Sequence, residues 1–152
     1  MNLWGFISPE VCGLVRYPDG ANGNSFGYIE CIEKFLPLRA QHKPNGILQQ
    51  DNVSFHRSQI VRDFMEVFEV PLLLDWPAWS PDLNLIENIW GLMQTGVNNR
   101  IQNEGKPVSS DQLFTMCFEE FNRGCDSVPD LYRSMRTRLQ AVVDGGGEQT
   151  KY

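Results

Sequence analysis

Residues Asp75-Trp-Pro-Ala-Trp-Ser-Pro-Asp-Leu-Asn-Leu-Ile-Glu-Asn-Ile-Trp90 are the most informative stretch of this sequence. The pair Ser80-Pro81 interrupts an apolar run and predicts a helix start, because serine caps helices and proline suits the first helical turn. Glu87 should then lie on that helix, one or two turns from its start. Upstream, the segment Gln49-Gln-Asp-Asn52 follows an apolar run and carries a second carboxylate, Asp51.

The hydrophobic pattern on either side of these two segments predicts a series of strands and helices. Strands are predicted at 2–7, 12–17, 47–51 and 70–74, with a turn at 18–20 that closes an amino-terminal hairpin. Helices are predicted at 24–39, 56–68, from 81 onward, 109–122 and 129–143, and glycines 145–147 should end the last of them. The final five residues read as a polar tail.

Helical spacing also predicts which side chains face the core. On the first helix these are Phe26, Ile29, Ile32 and Leu36, and on the helix at 109–122 they are Phe114, Phe118 and Phe121. Three arginines on the last helix, at 133, 136 and 138, predict a solvated mixed face rather than a phosphate contact.

The order of elements predicts an α/β fold with a mixed sheet and covering helices. Residues 1–100 should form the sheet-containing part of one domain, and residues 101–152 its helical extension. A length of 152 residues, with 41% hydrophobic and 21% charged residues, suits a single globular domain.

Several classes of function are disfavoured by composition. The sequence has no membrane-length apolar run and no readable secretory signal, so it is expected not to be secreted or membrane-bound. The four cysteines form no CxxC pair and the chain has 2 histidines, which leaves no plausible zinc cluster. A formal net charge of -6 argues against binding nucleic acid by charge alone, although carboxylates suit a magnesium site.

Asp51 and Glu87 are the candidate metal ligands. Asp51 ends a predicted strand, and the helix and strand that follow should return the chain to the same sheet edge before Glu87. Two carboxylates at such an edge suit cleavage and transfer of phosphodiesters by two divalent ions. Taken singly, Asp51 is better explained as a turn or helix cap, and Glu87 as part of a solvated helix face.

The flanks of both acids resemble a known family. Gln49-Gln-Asp-Asn-Val-Ser-Phe-His56 and Trp76-Pro-Ala-Trp-Ser-Pro-Asp-Leu-Asn-Leu-Ile-Glu-Asn-Ile-Trp90 closely resemble the second and third catalytic blocks of mariner-superfamily DNA transposases. The resemblance implies a ribonuclease H-like DDE domain with a triad of two aspartates and a final acid. By this resemblance, Asp51 is the second aspartate and Glu87 the third acid.

The same resemblance implies supporting residues, cofactors and partners. Asn52 and His56 match the motif after the second aspartate, where His56 could orient the site or contact a phosphate, or be a satisfied histidine at a helix start. The intact family uses two Mg²⁺ or Mn²⁺ ions and acts on DNA, both transposon ends and target. A homo-oligomer and a nuclear, or else cytoplasmic, location are also expected.

Two departures from the family pattern matter. Leu85 replaces a usual proline, which a helix should tolerate. The first catalytic aspartate belongs on a core strand upstream of the Trp4-Gly5 strand, where this chain begins, so the first core strand is expected to be missing and the chain inactive alone. Of the other acids, Asp75 is the least implausible substitute, and Asp82 is expected in the first turn of the Glu87 helix.

Two alternatives remain open from the sequence. One is a non-enzymatic, transposon-derived remnant that binds nucleic acid or oligomerises. The other is an incomplete gene prediction whose parent enzyme is intact.

Overall fold

The structure is a computed structural model that describes residues 1–17, 23–42, 44–74, 76–77 and 80–152. It divides into two compact units, the first made of Met1–Trp4 and Val15–Trp79 and the second of Gly5–Leu14 and Ser80–Tyr152. The predicted turn at 18–20, and residues 75 and 79, lie outside the described residues. The predicted division at residue 100 stays a prediction. None of the described helices is long and apolar enough to cross a membrane.

The predicted amino-terminal hairpin is confirmed. Strand β1 (Leu3–Ile7) pairs with strand β2 (Cys12–Arg16). Ser8 closes the connection: its amide donates to the Val11 carbonyl at 2.8 Å, and its hydroxyl oxygen accepts from the Val11 amide at 3.0 Å. Local side chain to backbone bonds of this kind are why serine favours tight turns.

The third and fourth predicted strands, at 47–51 and 70–74, are much shorter than expected. They are reduced to a single parallel bridge between Leu48 and Leu72. The Leu48 amide donates to the Pro71 carbonyl at 2.8 Å, and the Leu73 amide donates to the Leu48 carbonyl at 2.9 Å. The segment after Leu48 instead directs its polar side chains into other contacts, so the regular sheet in the described residues is confined to the hairpin.

Helix α1 (Ser25–His42) begins where the side chain of Asn24 accepts from the Gly27 amide at 2.9 Å, a standard amino-terminal cap. The predicted helix is confirmed, but the prediction of which side chains it buries is partly wrong. Ile32 is fully buried as expected, whereas Phe26 is 71% exposed. The buried stripe is made of Gly27, Tyr28, Cys31, Ile32 and Phe35.

The helix predicted at 56–68 is split in two. A short 3-10 helix (Ser54–Arg57) precedes helix α2 (Gln59–Val67). Val61 and Met65 on α2 are buried, while Ile60 is exposed. Val61 and Met65 form part of the core of the first unit, together with the buried side chains of α1.

The second unit contains α3 (Ile86–Glu104), α4 (Ser110–Cys125) and α5 (Val128–Asp144). The predicted cap at Ser109 is confirmed, since its side chain accepts from the Gln112 amide at 3.1 Å. Helix α3 packs against α4. The buried apolar side chains of this unit include Phe6, Leu14, Leu85, Ile89, Met116 and Phe121.

Two sequence predictions about helix faces fail in this unit. Phe121 is fully buried, but Phe118 is 41% exposed and so does not belong to the core. Arg138 is 3% exposed, so the prediction of a solvated face is wrong for this arginine, although Arg133 and Arg136 are exposed as expected.

Candidate functional site

Asp51 lies in the first unit, just before the 3-10 helix. Its Oδ1 atom accepts from the Val53 amide at 3.2 Å and lies 2.7 Å from Nδ1 of His56. An ionised carboxylate only accepts hydrogen bonds, so Nδ1 of His56 carries the proton in this pair. The hydrogen bond from His56 is the main reason that the pKa of Asp51 is below its usual value, with burial opposing and the Val53 amide assisting.

His56 packs against two aromatic rings. Its ring centroid is 4.0 Å from that of Tyr28 and 4.4 Å from that of Phe55. The histidine side chain is 12% exposed, against 49% for Asp51. The imidazole is therefore a fixed support, and the carboxylate remains open to solvent.

Tyr28 and Gln50 complete this support, and sequence reasoning assigned a role to neither. The Tyr28 hydroxyl donates to Oε1 of Gln50 at 2.6 Å, and Nε2 of Gln50 donates to the His56 carbonyl at 3.3 Å. Burial is the main cause of the raised pKa of Tyr28, so its hydroxyl stays protonated as a donor. The position of Gln50 directly before Asp51 could have indicated a role at the site. Nothing in the sequence around Tyr28 indicated such a role, apart from its place on a predicted helix.

Asn52 is directed elsewhere. Its Nδ2 atom donates to the Trp76 carbonyl at 2.8 Å. This hydrogen bond links the Asp51 segment to the beginning of the stretch 75–90. The structure therefore brings Asp51 and His56 together and gives Asn52 a bond to the neighbouring loop.

Glu87 lies in the second unit, in the first turn of α3. The helix begins at Ile86 and not at residue 81, because Ser80 and Pro81 open a turn in which their carbonyls accept from the amides of residues 83 and 84. Glu87 is exposed, and Nδ2 of Asn84 donates to its Oε1 atom at 3.1 Å. A carboxylate in the first turn is also favoured by the helix dipole.

The expected placement of Asp82 is wrong, since it precedes α3 and is only 5% exposed. The amide and the hydroxyl of Thr150 both donate to its Oδ2 atom at 2.9 Å. Burial acts to raise the pKa of Asp82, but these and further backbone hydrogen bonds outweigh it, so the pKa lies below the ordinary 3.8. The tail that contains Thr150 is therefore not merely polar and solvated.

This shift predicts a pH dependence of stability. Because the pKa of folded Asp82 is below its unfolded value, its stabilisation is present above about pH 4 and is lost as the pH falls through the folded pKa. Asp82→Asn should therefore be less stable than the wild type at pH 7, and the difference should shrink at acid pH. Urea titrations between pH 2 and pH 7 would measure this, with Asp63→Asn on α2 as the exposed control. A constant difference across that range would contradict the prediction.

The donor chemistry around Glu87 fits a hard divalent cation. Glu87 and Asn88 line one cleft, and Oδ1 of Asn88 is a buried oxygen without a hydrogen-bond partner among the described residues. Carboxylate and amide oxygens are the ligands that Mg²⁺ and Mn²⁺ accept. No group of three His, Cys, Asp or Glu side chains is placed to hold a metal ion in the part of the chain that the structure describes. Asp51 and Glu87 belong to different units, so their convergence stays a prediction.

Comparison with known proteins defines the class. The sequence profile described as DDE superfamily endonuclease matches residues 16–106, which include both acids. The chain belongs to this family. The profile thereby supports the predicted resemblance to mariner-superfamily transposases.

The most informative relatives are transposases. The chain is 33% identical to the Tc3 transposase and 34% identical to the Tc1 transposase of Caenorhabditis elegans, and 35% identical to the Tcb2 transposase of Caenorhabditis briggsae. In each case 99% of this chain is covered, but only 45% of the Tc3 relative and 54% of the other two. The chain thus spans about half the length of the curated relatives it matches.

The fold is similar to that of a solved transposase. The structure of the Mos1 transposase catalytic domain with raltegravir and Mn matches with a TM-score of 0.65 at 18% identity, covering 98% of this chain and 76% of that one. A second structure of the same domain, with Mg, matches with a TM-score of 0.59. The predicted ribonuclease H-like fold class is confirmed, and the short sheet described above is its form in this chain.

Proposed function

We propose that this chain supplies Asp51 and Glu87 as the second and third acids of a DDE transposase domain. The observation that carries the proposal is the family match across residues 16–106 together with the solvent-open carboxylates at both positions. The reaction is cleavage of DNA followed by strand transfer. On this proposal the substrate is DNA, both transposon ends and target, and the protein acts in the nucleus.

The chain's own residues prepare these carboxylates for metal binding. His56 keeps Asp51 ionised and bonds to its Oδ1 atom, and in the described part of the chain the carboxylate remains 49% exposed to a cation in solution. Asn84 donates to Oε1 of Glu87 and so orients that carboxylate. When bound, Mg²⁺ or Mn²⁺ supplies Lewis-acid activation of the attacking oxygen and stabilisation of the leaving oxygen.

We further propose that the chain by itself does not cleave DNA. No three His, Cys, Asp or Glu side chains are grouped to hold a metal ion in the described residues, and the family mechanism needs three acids. The expected result is no Mn²⁺-dependent nicking of a supercoiled plasmid above the level seen with Asp51→Ala and Glu87→Ala. Nicking by the wild type that both substitutions abolish would contradict this proposal.

The metal-binding roles can be tested without activity. In NMR titrations, Mn²⁺ should broaden the amide signals near residues 51 and 87, because bound paramagnetic ions shorten the relaxation of nearby nuclei. Asp51→Asn and Glu87→Gln should each remove the broadening at their own position. Matched controls are Asp63→Asn, an exposed acid on α2, and Asp111→Asn, an acid in the first turn of α4. Equal broadening in all four variants would contradict the assigned roles.

A non-enzymatic remnant that binds nucleic acid or oligomerises is the alternative. It predicts DNA binding that is unchanged by Asp51→Asn and Glu87→Gln and independent of Mn²⁺. Gel-shift titrations of these variants with and without Mn²⁺ therefore separate the two functions.

A further inference from the structure

The carboxyl-terminal segment of the chain packs against the turn that leads into α3. Thr150 donates two hydrogen bonds to one oxygen of Asp82, from its amide and from its hydroxyl, both at 2.9 Å. Asp82 is 5% exposed, and a buried carboxylate is costly unless it is hydrogen-bonded. Thr150 therefore supplies two of the hydrogen bonds that offset the cost of burying the Asp82 carboxylate.

Arg138 on α5 holds the same residue by its main chain. Its Nη1 atom donates to the Asp82 carbonyl at 2.6 Å, and its Nε atom donates to Oγ of Ser134 at 2.9 Å. The guanidinium carbon lies 4.9 Å from the ring centroid of Tyr152, a cation–π distance. Asp82 is thus hydrogen-bonded through both its main-chain carbonyl and its carboxylate. The ring of Tyr152, in the tail, packs against Arg138, which makes the bond to the carbonyl.

The anchored turn leads directly to Glu87. The Asn84 amide donates to the Pro81 carbonyl at 3.1 Å, which fixes Asn84 relative to the turn. The Asn84 carbonyl accepts from the Glu87 amide at 3.0 Å, and its side chain donates to Oε1 of Glu87 at 3.1 Å. Thr150 is therefore connected to Glu87 in three steps: its hydrogen bonds to Asp82, the main chain of the turn from Pro81 to Asn84, and the hydrogen bonds between Asn84 and Glu87.

The tail also shares a cleft with Glu87. The cleft has a volume of roughly 230 Å³ and is lined on one side by Gln149, Thr150 and Tyr152. Residues 81, 82, 87 and 88 also line it, and Oδ1 of Asn88 has no hydrogen-bond partner among the residues that the structure describes. The tail therefore lines the same cleft as Glu87, the candidate metal ligand.

We propose that Thr150 is a positioning residue for Glu87, and that residues 149–152 form a latch that holds the turn before α3 in the geometry that Glu87 needs to bind a divalent ion. The proposal rests on the metal-binding role proposed for Glu87. Thr150 does not itself contact the ion. It acts through Asp82 and Asn84.

The test uses three variants of the full chain. Thr150→Val removes the hydroxyl donor at nearly constant volume, and Thr150→Ser restores it. Thr115→Val is the matched control, because the Thr115 hydroxyl donates to the Asp111 carbonyl within α4. For each variant, amide hydrogen exchange of residues 83, 84, 87 and 88 is measured by NMR, and the Mn²⁺ affinity is measured by broadening of the Glu87 amide signal.

In Thr150→Val, exchange at residues 83, 84, 87 and 88 should accelerate about tenfold, the factor for loss of about 1.4 kcal/mol of hydrogen-bond free energy. Mn²⁺ affinity at Glu87 should fall by a similar factor, and Thr150→Ser and Thr115→Val should match the wild type in both measurements. Unchanged exchange in Thr150→Val would overturn the latch. Faster exchange with unchanged or tighter Mn²⁺ binding would overturn the positioning role and, if tighter, would mean that the tail obstructs Glu87.

The two proposals fail in distinguishable ways. If Glu87→Gln leaves Mn²⁺ binding intact, the metal role of Glu87 is wrong, together with the positioning role that depends on it. The exchange rates in Thr150→Val still decide whether the tail holds the turn.

Discussion

Truncation of Phe121 to alanine should lower the free energy of unfolding by about 3–5 kcal/mol, the usual cost of removing a buried aromatic side chain. Phe121 is fully buried on α4, and its ring centroid is 5.3 Å from that of Trp90 on α3. Alanine would leave a cavity against the helix that carries Glu87. Urea denaturation followed by circular dichroism would measure the change.

The matched control is Phe118→Ala, one turn earlier on the same helix. Phe118 is 41% exposed, so its truncation should cost less than about 1 kcal/mol, as for surface substitutions. Both variants lose the same atoms from α4, so a difference between them isolates burial. Equal destabilisation would mean that α4 packs through a different face.

Replacing Tyr28 by alanine should also cost about 3–5 kcal/mol, since it removes a side chain that is 1% exposed. It should also disturb Asp51, because the Tyr28 ring supports His56 and the Tyr28 hydroxyl bonds to Gln50. We expect the pKa of Asp51 to rise toward its ordinary 3.8 when His56 is no longer held against it. Urea titration gives the stability, and an NMR pH titration of the Asp51 carboxyl signal gives the pKa.

Two further variants separate the causes. Phe26→Ala removes an aromatic ring from the same helix, but Phe26 is 71% exposed, so its effect should be small. Tyr28→Phe keeps the ring and leaves Oε1 of Gln50 without its partner, which should cost about 1–3 kcal/mol. A large loss in Phe26→Ala, or an unchanged Asp51 pKa in Tyr28→Ala, would contradict this account.

The spacing of hydrophobic residues predicted the positions of the helices, but it predicted the wrong buried side chains on α1 and α4. On α1 it favoured Phe26, whereas the buried face runs through Tyr28 and Cys31. Tyrosine carries a hydroxyl that ordinarily favours the surface, and here that hydroxyl donates to Gln50, which lies 22 positions further along the chain. The same error on α4 placed Phe118 in the core, because spacing alone does not reveal how wide the covered face is.

The candidate site was predictable to the extent that it is local. Asp51, His56 and Glu87 stood in recognisable segments, and the family match includes all three. Asp82 was misplaced because Ser80 and Pro81 are good helix-start residues, yet here they open a turn and the helix begins at Ile86. Within that turn Asp82 is hydrogen-bonded to Arg138 and Thr150, which no local pattern connects to Asp82.

The hairpin, the approximate helix positions, the cap at Ser109 and the family can be predicted from the amino-acid sequence, because they depend on interactions between near neighbours or on short motifs. Which helix faces are buried, how far Leu48 and Leu72 pair, and which residues bond to Asp82 in the turn before Glu87 become visible only in the folded chain. Those features depend on contacts between residues distant in the chain, such as Asp82 and Thr150, which are 68 positions apart. Such contacts have no periodicity to read, and they form only when the folded backbone brings their partners together.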